Sequence, residues 1–251
     1  MKKIILPSNF LEFKKHILQG LMDDGYSMDW TSLGTSFLEN KKSVKAEIIA
    51  KSRGVFFGEE LARAVEAMSQ EIGCPIRVLS KKKDGDELKK RDIAWALEGQ
   101  ARSILVLERP FLNIGSYLGG IATRTRGLVE LVEREAKKRK IKAPRVTSTR
   151  KTLPHYRDLS VTAVMAGGGY PHRVTLSGGV LIKENHIRAA GGIKGAIEGV
   201  RVVSPHGLKI EIEVTNLDEL NQALDAHAEV IMLDNFSLSL VKKALGVIFL
   251  K

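Results

Sequence analysis

Four short apolar, β-branched runs in the second half of the chain each stop at ionisable residues. Val146–Thr149 ends in Thr149-Arg150-Lys151-Thr152, and Val180–Lys183 in Lys183-Glu184-Asn185-His186. Lys209–Val214, which carries Glu211 and Glu213, runs into Thr215-Asn216, and Val230–Asp234 ends in Asp234-Asn235. Chemistry in parallel α/β barrels collects at the C-terminal ends of the strands, so this repetition marks a candidate site. Gly167-Gly168-Gly169 leads to Tyr170-Pro171-His172-Arg173 and reads as a flexible loop delivering two more basic groups. It lacks the strand-then-helix setting of a dinucleotide-type phosphate loop. Arg150, Arg173 and Lys183 suit a ligand with several negative charges, because charged hydrogen bonds contribute roughly 1.5–3 kcal/mol each and Arg adds planar, bidentate geometry. Glu213 and Asp234 would repel such a ligand directly. They make sense as ligands to Mg²⁺ beside a diphosphate, or as stabilisers of a developing positive charge; the structural alternative for Glu213 is pairing with a neighbouring Lys.

Parallel βα units must position these groups. Asn216–His227 carries Leu217, Leu220 and Leu224 at helical spacing, with Asn216 as N-cap, between the third and fourth runs. Strand, helix, strand at that spacing is the signature of a parallel sheet. Upstream, Ser116–Lys140 shows a long helical pattern through Leu118, Ile121, Leu128, Leu131 and Val132. Gly58–Gly73 shows another, with Glu59 and Glu60 in its first turn. Ile76–Leu79 reads as a strand, Lys81–Asp86 as an exposed turn, and Arg102–Glu108 as either a strand or a helix start.

The 251 residues carry 40 Lys plus Arg against 29 Asp plus Glu, a formal charge of +11, with 43% hydrophobic residues. That balance excludes disordered, collagen-like and low-complexity classes and calls for a partner of opposite sign. Nine of the basic residues lie between Arg134 and Lys151 with only Glu135 against them, but no aromatic side chain accompanies them for stacking on bases. Nucleic acid is therefore a poor fit, and the run reads as a solvated helix end. No segment has the length of apolar sequence that a membrane helix needs. The single cysteine, Cys74, can form no internal disulfide, which fits a cytoplasmic protein.

Taken in order, several motifs resemble the quinolinate phosphoribosyltransferase family, also called nicotinate-nucleotide pyrophosphorylase (carboxylating). They are Glu108–Asn113, Gly120–Thr123, Thr149–Thr152, Gly167–Gly169 with His172-Arg173, Val180–Ile187, Ile212–Val214 and Met232–Asn235. The resemblance implies phosphoribosyl transfer from phosphoribosyl pyrophosphate to the nitrogen of quinolinate, with Mg²⁺. Carbon dioxide and pyrophosphate leave, and nicotinate mononucleotide forms for NAD biosynthesis. It implies an N-terminal α/β sandwich domain, residues 1–115, followed by an incomplete parallel α/β barrel, residues 116–251. By motif, Arg109, Thr149, Arg150, Lys151, His172, Arg173, Leu181 and Lys183 would bind substrate. Lys151, Glu213 and Asp234 would serve the phosphoribosyl pyrophosphate and the chemistry, and Glu213 and Asp234 the metal. In this family Arg109 reaches the neighbouring subunit's site, so a homodimer is the minimal unit expected.

Three departures from the family pattern stand out: Pro171 before His172, the loop Leu153-Pro154-His155-Tyr156, and a tail after Ser237 that reads short by at least one βα unit. The last leads to the expectation of an open strand edge, with marginal stability or extra association. Alternatives are a relative acting on another small anion, a shortened non-catalytic paralogue and, with only the charge behind it, a nucleic-acid binder.

Overall fold

A computed structural model describes residues 8–36 and 43–250, so Met1–Pro7 lie outside it. The chain divides into two compact units, 1–174 and 175–251.

In the first unit α1 (Phe10–Asp23), one turn of 3₁₀ helix (Tyr26–Met28) and α2 (Trp30–Ser36) precede β1 (Ser43–Ile49) and β2 (Gly54–Val55). Then come α3 (Glu59–Glu71), β3 (Ile76–Ser80), β4 (Glu87–Leu88), β5 (Ile93–Gln100), α4 (Ala101–Lys138) and α5 (Arg157–Ala166). An antiparallel sheet of order β1-β5-β3 is joined by a two-residue β2-β4 ladder. The core sets Phe13, Ile17 and Leu21 of α1, Leu61 and Val65 of α3, and Leu107, Phe111 and Leu118 of α4 around Trp95 and Phe56. The tilted Trp95–Phe56 and Trp95–Phe111 pairs, at 5.0 and 4.9 Å, have the offset geometry that aromatic quadrupoles favour.

The ambiguous run Arg102–Glu108 is helix. It belongs to α4, which starts at Ala101 and passes through Pro110. Its buried Ile104, Leu107, Phe111, Ile114 and Leu118 recur at three- and four-residue intervals, and this outweighs the amide donor that Pro110 removes. The Lys81–Asp86 turn is not wholly exposed. Asp84 turns inward, and its Oδ1 accepts from the Gly58 and Glu59 amides at 2.6 and 3.1 Å, capping α3. Glu59 Oε2 accepts from the Asp84 amide in return, at 2.8 Å.

The second unit runs β6 (Val180–Ile182), α6 (Glu184–Ala189), α7 (Ile193–Val203), β7 (Ile210–Val214), α8 (Leu217–Asp225), β8 (Val230–Leu233) and α9 (Leu238–Leu250). Its strands form an open parallel sheet in the order β6-β7-β8. The expected βα rhythm is present, and Asn216 caps α8 by accepting from the Glu219 amide at 2.9 Å. Ile182, Ile210, Ile212 and Val214 are buried with Ile197, Leu220 and Ala244 of the helices, so one face of the sheet is the packed face.

The first of the four expected strands is reduced to a single parallel bridge, Thr147 to Tyr170. Tyr170 donates to Val146 O and Ser148 donates to Tyr170 O, each at 2.8 Å. The next donor, the His172 amide, goes to Ser148 Oγ at 3.2 Å. A side-chain hydroxyl thus captures the bond that would have continued the ladder.

Candidate active site

The Thr147–Tyr170 bridge lays two basic segments side by side within the first unit: Thr149-Arg150-Lys151 leaves one arm and His172-Arg173 the other. Buried Ser148 ties the arms together through the His172 amide. Thr149 Oγ1 accepts from the Lys151 amide at 3.2 Å and so shapes the turn. Pro171 disturbs nothing in the bridge: the amides used are Tyr170 and His172, and the position between them is not called on as a donor. Arg145 stacks on the Tyr170 ring at 4.9 Å and supports the same arm.

Arg150 Nε and Thr152 Oγ1 are buried without a hydrogen-bond partner among the described residues. Leaving such donors unmade costs about 1–3 kcal/mol each, more for a charged group. The chemistry available here is the binding of a carboxylate or phosphate.

The expected flexibility of the glycine triplet gives way to a close-packed turn. A Cβ at Gly167 would lie 2.5 Å from Ala122 O, and one at Gly169 would lie 2.7 Å from Val164 Cγ1. Gly168 takes φ +94°, a conformation costly for any side chain.

In the second unit the strand register collects the remaining candidates on one face. Leu181 pairs with Glu211, Glu211 with Val230, and Glu213 with Met232. With the alternating residues Ile182, Ile212 and Val214 in the packed core, Leu181, Glu211 and Glu213 take the opposite face. Lys183 lies two residues beyond Leu181, and Asp234 two beyond Met232, so period two puts both with them. Lys183 Nζ donates to Glu213 Oε1, the lysine half exposed and the carboxylate largely covered. His186 Nδ1 accepts from the Lys183 amide at 3.0 Å, which places the ring proton on Nε2 and pins the strand end. The Asp234 amide donates to Val214 O at 2.9 Å, extending the β7–β8 ladder by one step, and Asp234 Oδ2 accepts from Asn235 Nδ2 at 3.0 Å.

No group of three or more His, Cys, Asp or Glu side chains among the described residues could form a metal cage. Two carboxylates at adjacent strand ends, Glu213 and Asp234, nonetheless suit Mg²⁺, which keeps several waters and shares its shell with substrate phosphates.

Arg109 belongs to a different surface. Exposed on α4, it lines a groove of about 720 Å³ with Trp95, Asn113 and Arg124, and none of Thr149, Arg150, Lys151, His172 or Arg173 lines it. Sequence reasoning named His186 only among the groups at a strand end and gave Ser148 no role; what each does depends on hydrogen bonds that spacing does not reveal. It also missed Arg126, which nothing in the sequence distinguishes from Arg124 or Arg134 on the same helix.

The second unit is a parallel α/β sheet with ionisable groups at its strand ends, the place where α/β enzymes gather their chemistry, and the first unit by itself carries a basic cluster. Residues 29–118 match the quinolinate phosphoribosyl transferase N-terminal domain, and residues 121–250 match the C-terminal domain. The chain is 37% identical over 227 residues to a probable nicotinate-nucleotide pyrophosphorylase (carboxylating) of Bacillus subtilis, covering 90% of this chain and 74% of that protein. It is 35% identical over 212 residues to the Mycobacterium leprae nicotinate-nucleotide pyrophosphorylase (carboxylating), covering 84% and 70%. The solved Francisella tularensis nicotinate-nucleotide pyrophosphorylase superposes with a TM-score of 0.84 at 32% identity, over 100% of this chain and 84% of that one. The chain belongs to the quinolinate phosphoribosyltransferase family.

Proposed function

We propose that the protein transfers the phosphoribosyl group of phosphoribosyl pyrophosphate to the ring nitrogen of quinolinate, with decarboxylation, to give nicotinate mononucleotide for NAD biosynthesis. The observation that carries this reading is the Thr147–Tyr170 bridge. It joins Arg150 to His172 and Arg173, supplying cations for a dicarboxylate in a chain of this family.

In this reading Arg150, His172, Arg173 and Lys183 hold the two carboxylates, Thr149 shapes the first arm, and Leu181 lines the pyridine ring. Lys151 meets both substrates. Anchoring both carboxylates aligns the ring nitrogen with the anomeric carbon, replacing a random encounter by a held geometry. The nitrogen lone pair forms the new bond as the bond to pyrophosphate breaks, and Glu213 and Asp234 stabilise the oxocarbenium-like ribose electrostatically. The ring nitrogen is then cationic, so the electron pair of the departing 2-carboxylate can settle on the ring carbon beside it. A proton replaces the lost carbon dioxide. Glu213 and Asp234 would also hold Mg²⁺, whose contribution is to neutralise charge on the diphosphate.

A homodimer is part of this reading, with Arg109 serving the neighbouring subunit's site, and so is a cytoplasmic setting, supported by the lone, unpaired thiol of Cys74. The functional division near residues 115/116 is supported by the two domain matches, while α4 itself is continuous there.

The test is an assay of the purified chain with quinolinate, phosphoribosyl pyrophosphate and Mg²⁺, following nicotinate mononucleotide and carbon dioxide. Product should require all three, and carbon dioxide should appear only when phosphoribosyl pyrophosphate is present. Release without it would overturn the order of steps. Absence of nicotinate mononucleotide under every condition would overturn the reading.

A further inference from the structure

One guanidinium in the first unit serves three backbone carbonyls. Arg126 Nε donates to Gly167 O at 3.0 Å, and its Nη2 lies 3.2 Å from Gly85 O and 3.3 Å from Ala166 O. Ala166 and Gly167 close α5. A helix leaves its last four carbonyls without intrahelical donors. Here the amides of Gly167, Gly168 and Gly169 return to Ala163, Met165 and Val164 at 3.0, 2.9 and 3.0 Å, and the next two carbonyls outward fall to Arg126. A cation at this end also meets the negative pole of the helix dipole.

The neighbouring packing shows why this cation comes from α4. Gly167 and Gly169 sit so close to Ala122 and Thr125 that a Cβ on either would collide with that helix. Arg126 is the next residue along, half-buried where Arg124 is exposed. Residues 166–173 therefore have two anchors. Arg126 holds the beginning, and the Tyr170 and His172 bonds to Val146 and Ser148 hold the end. Gly85 connects the first anchor to the turn that caps α3.

We infer that Arg126 is a positioning residue: it fixes the segment that presents His172 and Arg173, and so sets the affinity for quinolinate without touching it. The inference rests on the substrate reading given above. An ammonium cannot reproduce a planar fork, so Arg126→Lys keeps the charge but spans fewer of the three carbonyls.

The experiment measures steady-state constants and backbone amide exchange for the wild type, Arg126→Ala, Arg126→Lys and the exposed control Arg134→Ala. Arg126→Ala should raise KM for quinolinate about tenfold, the size of one charged hydrogen bond, with KM for phosphoribosyl pyrophosphate within about twofold. Arg126→Lys should recover much of the lost melting temperature but not the quinolinate KM. The Tyr170 and His172 amides should exchange faster in both Arg126 variants, while those of α1 keep their protection. Equal changes in both KM values, or unchanged exchange at Tyr170 and His172, would overturn the inference. Failure of the wild type to turn over quinolinate would instead overturn the substrate reading, and the amide exchange would still decide whether Arg126 holds the segment.

Discussion

Lys183 at the end of β6 and Glu213 near the end of β7 form an ion pair on the unpacked face of the parallel sheet. With the lysine half exposed, solvent screens the pair, so its worth to stability is no more than about 1 kcal/mol. A pair so weakly held can exchange. In the proposed reaction the ammonium turns to a quinolinate carboxylate, and the carboxylate is released towards the developing ribose cation. Lys183→Met should therefore lower kcat/KM for quinolinate roughly 10- to 150-fold, the factor for one charged hydrogen bond, with little change in melting temperature. Glu213→Gln should act mainly on kcat. Steady-state kinetics on the two variants check this, and an unchanged quinolinate KM in Lys183→Met would contradict the role given to the lysine.

Arg109 lies on a groove that none of the cationic bridge residues lines, and the proposal sends it to the neighbouring subunit. At quinolinate well below the wild-type KM, Arg109→Ala and Lys183→Ala proteins should each keep only a small fraction of wild-type activity. After unfolding and refolding an equal mixture, half of the dimers contain one intact site of two. About a quarter of wild-type activity should return if subunits assort randomly in a two-fold dimer. No recovery, in a mixture shown to contain heterodimers, would place Arg109 in the site of its own subunit.

The carboxylates at the β7 and β8 ends bear on the metal. Asp234 keeps its Asn235 contact at 3.0 Å and a backbone bond to β7, so Asp234→Asn should preserve the fold while halving the charge offered to Mg²⁺. The Mg²⁺ concentration for half-maximal turnover should rise several-fold, and chelation should abolish wild-type activity. Full activity in excess chelator would remove the metal from the proposal.

How much of this was legible beforehand differs between particular residues. The βα rhythm of the second unit and the Asn216 cap could be read directly, because periodicity and capping are local properties. Lys183, Glu213 and Asp234 could be singled out as strand-end residues for the same reason. Val146–Thr149 could not be read correctly, since its ladder ends when the Ser148 hydroxyl takes the His172 amide, a contact across 24 residues. Arg102–Glu108 is ambiguous by pattern alone, and burial of Ile104, Val106 and Leu107 in the core that also holds Trp95 and Phe13 makes it helix. The glycine triplet looked loose because sequence cannot show that α4 occupies the space where its side chains would be.

That last point separates two Gly→Ala substitutions. At Gly167 the new methyl would meet Ala122 O at 2.5 Å and Thr125 Cβ at 2.7 Å, both fixed to the backbone of α4. Gly167→Ala should destabilise by about 1–3 kcal/mol, the usual range for overpacking. Gly127, on the same long helix, has nothing within 4 Å of its ideal Cβ, so Gly127→Ala should stabilise by up to about 1 kcal/mol through helix propensity. Denaturant midpoints at constant m-value check both signs.

Asp84 gives a pH dependence whose sign can be worked out. Burial raises its carboxyl to about 6, against the opposing amide bonds from Gly58 and Glu59 and with the help of the Glu59 and Glu60 charges. With an ordinary value of 3.8 in the unfolded chain, the folded state binds more protons throughout that interval. Stability contributed by this group is thus fully present below 3.8 and is lost as pH rises through about 6. At neutral pH the buried charge costs about 2–3 kcal/mol, at 1.36 kcal/mol per pKa unit. Asp84→Asn retains the Oδ1 acceptor that caps α3 and removes the charge. The variant should melt higher than wild type near neutrality, and the gap should shrink as pH falls from about 6 towards 3.8. Thermal unfolding of both proteins across that range is the measurement. A gap that stays constant, or that widens on acidification, would show that the Asp84 carboxyl is not strained by its burial.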